Sequence, residues 1–551
     1  ESGGQTAHAR ALMDALRAQR FAGTLVFLDV HTTGTLADLA QTRADLAIIA
    51  LPPEDAIEAL EVAGRIKCRA ALVIGSGTPP DLAATMHRTA KRHGMPLLGP
   101  TSLGFQRPQR LLNASVAGPL AAAGSLALVS QSGALTASIL DWSSQNAVGF
   151  STVVSLGPNT SVDIAQVLDF LASDPQTHSI VVYLEGISSA RRFMSALRAA
   201  ANAKPVVVLK AGRKTAGNQA AQTHSGAIVG SDDVFDAALR RAGAVRVRSF
   251  VELFSAAKCL ASRYRPVGKR LAIVTNGGGP GVLAADWVSE IHLQLGVLSA
   301  PVAQALQALL PPLASLTDLI DLSEDATPAH YRAAIEAAGK DRTIDGVLVV
   351  HSPKAGAHSA DVAAEVARSM ADLKDRLGKP LLCCWMGDAS VGQAREVLAA
   401  AAIPSFRTPE AAVGAFGNIA SFYENQQLLQ QTPPPLSTLA KPDIEGARLL
   451  IENVLAERRK VLTEMESKAL LSAFHIPVTQ TILARSPVEA MMIATQLGYP
   501  VALKIDSPDV THKSDVSGVA LNVMNAVGVR DVYLTMMQTV AKLQPGARIN
   551  G

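Results

Sequence analysis

The sequence predicts an α/β protein built on several parallel sheets. Short apolar runs alternate with helical patterns along most of the chain, the signature of parallel strands joined by right-handed crossovers. Aromatic residues make up only 4% of a chain that is 48% hydrophobic, which suits tightly packed layers of Ala, Val, Leu and Gly. The chain has 551 residues, too many for one core, and at roughly 100–200 residues per domain it should hold several.

The strand readings are Leu46–Ala50, Ala70–Ile74, Leu126–Val129, Thr152–Leu156, Ile180–Leu184, Val206–Lys210, Leu271–Thr275, Val347–His351 and Pro380–Cys384. Ala83–His93, Ala190–Ala203 and Val302–Leu310 read as helices between them. Composition suggests units at 1–120, 121–264, 265–430 and 443–551. The stretch 431–442 is a linker, marked by Pro433-Pro434-Pro435.

Charge is nearly balanced, with 50 basic and 47 acidic residues, so neither nucleic acid nor an anionic membrane is expected as a partner. The uncharged run Leu111–Leu140 is long enough to cross a bilayer, but Asn113, Gly118-Pro119 and Ser130-Gln131-Ser132-Gly133 interrupt it. The four cysteines have neither zinc-site nor disulfide-framework spacing, which suits a reducing cytoplasm. The chain begins at Glu1 rather than Met and stops at Gly551, and reads as a piece of a longer protein.

Two turns are candidate anion sites. Ser130-Gln131-Ser132-Gly133 joins a strand to a helix whose N-terminal amides and dipole would welcome a phosphate or carboxylate; an ordinary Ser-capped turn is the alternative. Gly277-Gly278-Gly279-Pro280-Gly281 does the same after Thr275-Asn276, where glycines let a ligand approach the backbone. It matches neither the P-loop nor the dinucleotide fingerprint.

In "QTHSGAIVGS", His224 sits among small residues on a pliable segment after the strand Val206–Lys210. An imidazole is a competent phosphoryl acceptor when a carboxylate orients its other nitrogen. The candidate carboxylate is Glu185, at the end of the strand Ile180–Leu184. Toward the C-terminus, Lys504 lies on a strand where it could meet nucleotide phosphate, and His512, Lys513 and Asp515 form a polar cluster. In the first unit, Gly3-Gly4 before a helix, Leu51-Pro52-Pro53, and Ile74-Gly75-Ser76-Gly77 outline a nucleotide-sized cleft at strand ends.

Thr223-His224-Ser225-Gly226-Ala227-Ile228-Val229-Gly230-Ser231-Asp232 and His512-Lys513-Ser514-Asp515-Val516-Ser517-Gly518-Val519 resemble two motifs of the NDP-forming acyl-CoA synthetases, relatives of succinyl-CoA synthetase. The resemblance covers essentially the whole chain. It implies a Rossmann-like CoA-binding domain, two flavodoxin-like ligase domains and the first part of an ATP-grasp domain. It further implies reversible conversion of acyl-CoA, ADP and phosphate to carboxylate, ATP and CoA, through an acyl phosphate and a phosphohistidine.

On this resemblance His224 is the phosphoryl carrier, Glu185 its orienting carboxylate and His512 a second relay. The two turns hold phosphate, the first-unit loops hold CoA, and Lys504 and Lys513 meet the nucleotide. Expected ligands are CoA, an acyl-CoA or short carboxylic acid such as acetate, phosphate, ATP or ADP, and Mg²⁺ with ligands after Gly551. A homo-oligomer is a further partner the resemblance allows.

Gly99-Pro100-Thr101-Ser102-Leu103-Gly104 and Asp318-Leu319-Ile320-Asp321-Leu322 depart from the family pattern, at Thr101-Ser102 and Asp318-Leu319. The chain also resembles the subgroup fused to a GNAT acetyltransferase domain, through "HSPKAGA" and "RTPEAAVGAF". Some members there have lost the histidine and serve as CoA sensors, which is the alternative reading. An oxidoreductase reading lacks the dinucleotide fingerprint.

Overall fold

A computed structural model describes residues 3–27, 44–75, 77–146, 148–157, 161–214, 216–217, 219, 231–261, 268–353, 359–432, 440–510 and 512–551. Two compact units emerge, Glu1–Gln431 and Thr432–Gly551.

The first sheet of the larger unit is parallel, in the order β1 (Leu46–Ile49), β2 (Ala70–Ile74), β3 (Leu97–Ser102). Helices Pro53–Arg65 and Pro80–Arg92 follow β1 and β2, each opened by a proline where the missing N–H has no helical partner to lose. Leu60, Met86 and Ala90 bury against Val73 and Leu97.

The second sheet holds β4 (Gly104–Arg107), β5 (Leu112–Ser115), β6 (Ala123–Ser130), β7 (Phe150–Ser155), β8 (Ser179–Leu184), β9 (Val206–Lys210) and β10 (Val245–Val247). Its order is β10-β9-β8-β6-β7-β4-β5. All neighbours are parallel except β4, which runs antiparallel to β5 and β7. The chain leaves β6 for β7 on one side and reaches β8 on the other, so the topological switch point lies between β6 and β8.

The β4–β5 hairpin, inside the stretch read as 1–120, completes the second sheet rather than the first. Its few apolar residues hide a pairing made by backbone: Gly104, Phe105 and Gln106 lie opposite Ser155, Val154 and Val153. The uncharged run Leu111–Leu140 is thus β5, β6 and the start of a helix. Among the described residues no helix is long and apolar enough to cross a membrane.

The third sheet contains β11 (Arg270–Thr275), β12 (Gln294–Leu295), β13 (Ile320–Asp321), β14 (Gly346–His351), β15 (Leu381–Trp385) and β16 (Ser405–Phe406). Its order is β12-β11-β14-β15-β16, with β13 alongside the last residues of β11, and every pair is parallel. The winding repeats that of the second sheet. β14 and β15 are buried throughout, and their side chains alternate between two apolar clusters. At the end of β14, His351 stacks on Trp385 at 5.3 Å between centroids and meets the Tyr331 hydroxyl at 3.0 Å.

Helix Pro409–Gln430 ties the two large sheets together. It packs on helices Phe250–Ala261 and Gly278–Glu290, and Asn425 and Gln426 donate to the carbonyls of Ala244 and Ala201. The smaller unit pairs β17 (Val501–Lys504) antiparallel with β18 (Val519–Val523), beside helices Pro487–Leu497 and Ala526–Leu543.

Gly104 has φ +94°, and a Cβ there would lie 2.0 Å from the Ala114 carbonyl oxygen. Gly104→Ala should therefore cost about 2–4 kcal/mol in chemical denaturation of the larger unit. Burial pulls the His351 pKa down to about 4 from its ordinary 6.5. The unfolded chain takes up this proton as pH falls through 6.5 and the folded chain does not, so stability is full above 6.5 and declines toward pH 4. Denaturation at pH 7 and pH 4.5 should show His351→Gln flattening that decline, by at most about 3 kcal/mol.

Candidate active site

β6 ends in Ser130, whose hydroxyl donates to the Ser132 carbonyl at 2.9 Å and receives the Ser132 N–H at 3.1 Å. This closes a tight turn. Ser132 then caps helix Gly133–Gln145 by accepting the Leu135 N–H. The first amides of that helix have no intrahelical partner and face the carboxyl edge of the sheet. Gly133 has a packing reason as well, since a Cβ would lie 2.9 Å from the Leu103 side chain.

Gln131 is the centre of this edge. Its Oε1 accepts the N–H groups of Glu185 at 2.6 Å and Gly186 at 3.1 Å, and its Nε2 donates to the Gly186 carbonyl at 3.0 Å. The Gln131 N–H in turn donates to the Tyr183 carbonyl. One side chain thus locks the turn after β6 to the residue after β8, across the switch point. Glu185 is 8% exposed, and among the described residues no hydrogen bond or ion pair occupies its carboxylate. That negative charge helps burial raise the Tyr183 phenol to about 12.

The segment carrying His224 leaves this same edge. The Ala211 N–H donates to the Leu184 carbonyl, one residue before Glu185, and Lys210 Nζ donates to the Glu185 carbonyl at 2.9 Å. His224 itself, with Ser76, lies outside the described residues.

The third sheet repeats the device. Thr275 Oγ1 donates to the Gly277 carbonyl at 2.9 Å and accepts its N–H at 3.1 Å. Asn276 exchanges two 2.9 Å bonds with the main chain of Ser352, the residue after β14. Gly277 caps helix Gly278–Glu290, so the glycine run is the first helical turn rather than a free loop. Ser130-Gln131-Ser132-Gly133 and Thr275-Asn276-Gly277-Gly278 align residue for residue through Asp141-Trp142 and Asp286-Trp287. The shared Asp-Trp is the sequence signal for this alignment. At the third sheet Ser352 stands where Glu185 stands, and a Cβ on Gly278 would lie 3.5 Å from Asp321 Oδ2. The departing motif Asp318–Leu322 therefore borders this turn.

In the first sheet, Leu51-Pro52-Pro53 and Ile74-Gly75-Gly77 follow the paired strands β1 and β2, so the structure brings both loops to one carboxyl edge. Gly3 and Gly4 lie inside the first turn of helix Gly3–Arg17, not in a turn before it. Thr101 lies against the second sheet, its carbonyl 2.2 Å from where a Cβ on Gly157 would stand, and Ser102 Oγ donates to the Ser155 carbonyl. Sequence reading did not connect that motif with the Ser130–Gly133 turn it adjoins through Leu103.

In the smaller unit a cavity of about 610 Å³ is lined by Lys504, Glu464, Lys468, Asp506 and Tyr533 together with apolar side chains. Lys504 Nζ lies 3.0 Å from Glu464 Oε1 and Lys468 Nζ lies 3.3 Å from it, a cluster the sequence reading missed. Lys513 and His512 do not line this cavity. They sit at the start of a short 3₁₀ turn, Lys513–Val516, with His512 exposed. Ser517 after it has φ +55°, in the left-handed region that favours glycine, and Gly518 is required because a Cβ would meet Ile505 at 2.6 Å.

Comparison with known proteins matches residues 123–260 to a succinyl-CoA ligase like flavodoxin domain, 271–428 to a ligase-CoA domain and 453–551 to an ATP-grasp domain. The chain is 34% identical over 518 residues to acetate–CoA ligase (ADP-forming) I of Archaeoglobus fulgidus, covering 92% of this chain and 73% of that one. It is 30% identical over 517 residues to 4-hydroxybutyrate–CoA ligase (ADP-forming) of Nitrosopumilus maritimus, with the same coverage. A solved structure of the dinucleotide-forming acetyl-coenzyme A synthetase 1 of Ca. Korarchaeum cryptofilum, in complex with phosphate and ADP, superposes with a TM-score of 0.71 at 27% identity. That match covers 80% of this chain and 96% of that one. With switch-point turns, domain matches and relatives matched over 92% of this chain in agreement, the chain belongs to the ADP-forming acetate–CoA ligase family.

Proposed function

We propose that the chain carries out the acyl-CoA half of an ADP-forming acyl-CoA synthetase, acting on a short acyl group such as acetyl, through a phosphohistidine at His224. The observation that carries this reading is the Gln131 clamp, which joins an anion-receptive helix terminus to Glu185 at the switch point. Phosphate oxygen attacks the thioester carbonyl, the C–S bond breaks, and CoA leaves as the thiol. The acyl phosphate then passes its phosphoryl group to a ring nitrogen of His224, and the carboxylate leaves. Glu185 would hold the proton on the opposite ring nitrogen and so keep the attacking nitrogen's lone pair free. Helix amides at Gly133 and Gly278 would balance charge on the phosphoryl oxygens, which is most of what such a transfer needs.

The first-sheet loops at Leu51–Pro53 and Ile74–Gly77 fit CoA by their place at a parallel sheet's carboxyl edge. Lys504, with Lys468 and Glu464, fits a nucleotide in the smaller unit, where ADP would take the phosphoryl group. His512 and Lys513 would serve as relay and phosphate contact from the adjacent turn. Among the described residues no group of three or more His, Cys, Asp or Glu side chains could hold a metal ion; Mg²⁺, when bound with the nucleotide, would balance the charge of its phosphates. A cytoplasmic location, self-association and a GNAT domain in the full-length protein complete the reading. The last rests on the stretches His351–Ala357 and Arg407–Phe416.

Incubation with acetyl-CoA and radiolabelled inorganic phosphate should give acid-labile, alkali-stable label on the chain, absent from His224→Ala. Glu185→Gln should slow labelling about 100-fold, within the range of a lost acid–base partner. Gln131→Ala should slow it about 10-fold or more while CoA affinity, read by calorimetry, stays within twofold. Acyl-CoA binding without label across an acyl-chain series would overturn the enzyme reading and leave a CoA sensor.

A further inference from the structure

Lys210 ends β9 and is 6% exposed, beside Glu185. Its ammonium spends donors on main-chain carbonyls, those of Glu185 at 2.9 Å and of Ala211. Its position opposite Leu184 in the parallel ladder puts it one step from Glu185. A buried ammonium is costly to keep without a carboxylate at contact, and among the described residues none lies within ion-pair distance. The Phe235 ring covers it at 6.0 Å from its centroid. Asp232 and Glu185 attract it from farther off, while Arg246 repels it and already binds Asp232 and Asp236. Desolvation outweighs these attractions and pulls the ammonium pKa down.

A side chain that only filled this space would be apolar. The third sheet supplies that control. There the position matching Lys210, at the end of the strand after β14, is Trp385, and the position matching Glu185 is Ser352. The charged pair occurs together at one sheet edge and is absent together from its structural duplicate.

We propose that Lys210 is a positioning residue for the phosphotransfer, holding the Glu185 main chain from the side opposite Gln131 so that the carboxylate is fixed in place for that chemistry. The role rests on the phosphohistidine reading above. Gln131 grips the Glu185 N–H and Lys210 grips its carbonyl, so the residue is pinned at both ends. Lys210 is also the root of the segment that carries His224, so one residue sets the carboxylate and the point from which the histidine departs.

The test is a double-mutant cycle on the acetyl-CoA-driven labelling rate, using Lys210→Met, Glu185→Gln and both together, with Lys210→Arg as the conservative variant. Lys210→Met is expected to slow labelling about 30-fold, Lys210→Arg to recover at least threefold of that, and CoA affinity to stay within twofold in each. In the Glu185→Gln background, Lys210→Met should slow labelling no more than about threefold further, because it acts through Glu185. Labelling by Lys210→Met within threefold of wild type overturns the proposal, and so does a full 30-fold effect in the Glu185→Gln background. Loss of CoA binding in both Lys210 variants also overturns it, making the residue a determinant of the fold. A wild-type chain that binds acetyl-CoA and takes no label overturns the phosphohistidine reading and this role together; the other outcomes leave that reading standing.

Discussion

The amide of Gln131 is the interaction on which the rest of the site depends. Strand order alone would bring the ends of β6 and β8 near each other, since the switch point separates the crossovers on either side. It would not fix them. Gln131 does so by accepting two backbone N–H groups and donating to one carbonyl, which satisfies main-chain groups left over where the ladder stops. If the proposed function holds, a carboxylate fixed in advance needs no reorganisation at the moment of transfer.

The same device in the third sheet shows which parts are scaffold and which are chemistry. Hydroxyl, amide and helix start recur as Thr275, Asn276 and Gly278, but Asn276 bonds the N–H and carbonyl of Ser352 alone, where Gln131 spans Glu185 and Gly186. The residues beyond the scaffold differ. Glu185 and Lys210 are replaced by Ser352 and Trp385, and Trp385 is packed against the buried His351. One copy carries a buried carboxylate and a buried ammonium. The other keeps the helix terminus and a wall of aromatic rings.

Much of this was legible in the sequence because period and punctuation speak for parallel strands. Val206–Lys210 is both a strand reading and the observed β9, and the turns at Ser130 and Thr275 follow strands as their glycines and hydroxyls suggest. The missed parts need three dimensions. The β4–β5 hairpin belongs to the second sheet through pairing with a strand far along the chain, and no local pattern in Gly104–Ser115 announces that partner. Gln131 looked like one polar residue in a turn, and its role exists only because Glu185 is its neighbour across the sheet. Lys210 reads in sequence as the last residue of an apolar run; its bond to Glu185 follows from the pairing of β9 with β8, and the Phe235 ring lies over it. Lys468 and Glu464 joined Lys504 only once helix Glu464–Ala473 lay beside β17.

The account's central claim is that the carboxylate and the anion-receptive turn form one preassembled unit. Amide hydrogen exchange at Glu185 and Gly186 tests it most directly. These N–H groups lie past the end of β8 and would exchange like loop amides if Gln131 did not bind them. The predicted result is protection comparable to that of Val181 and Val182 in the unliganded chain, lost selectively in Gln131→Ala. Fast exchange at both amides before any ligand is added, with protection only once acetyl-CoA and phosphate are present, would contradict preassembly.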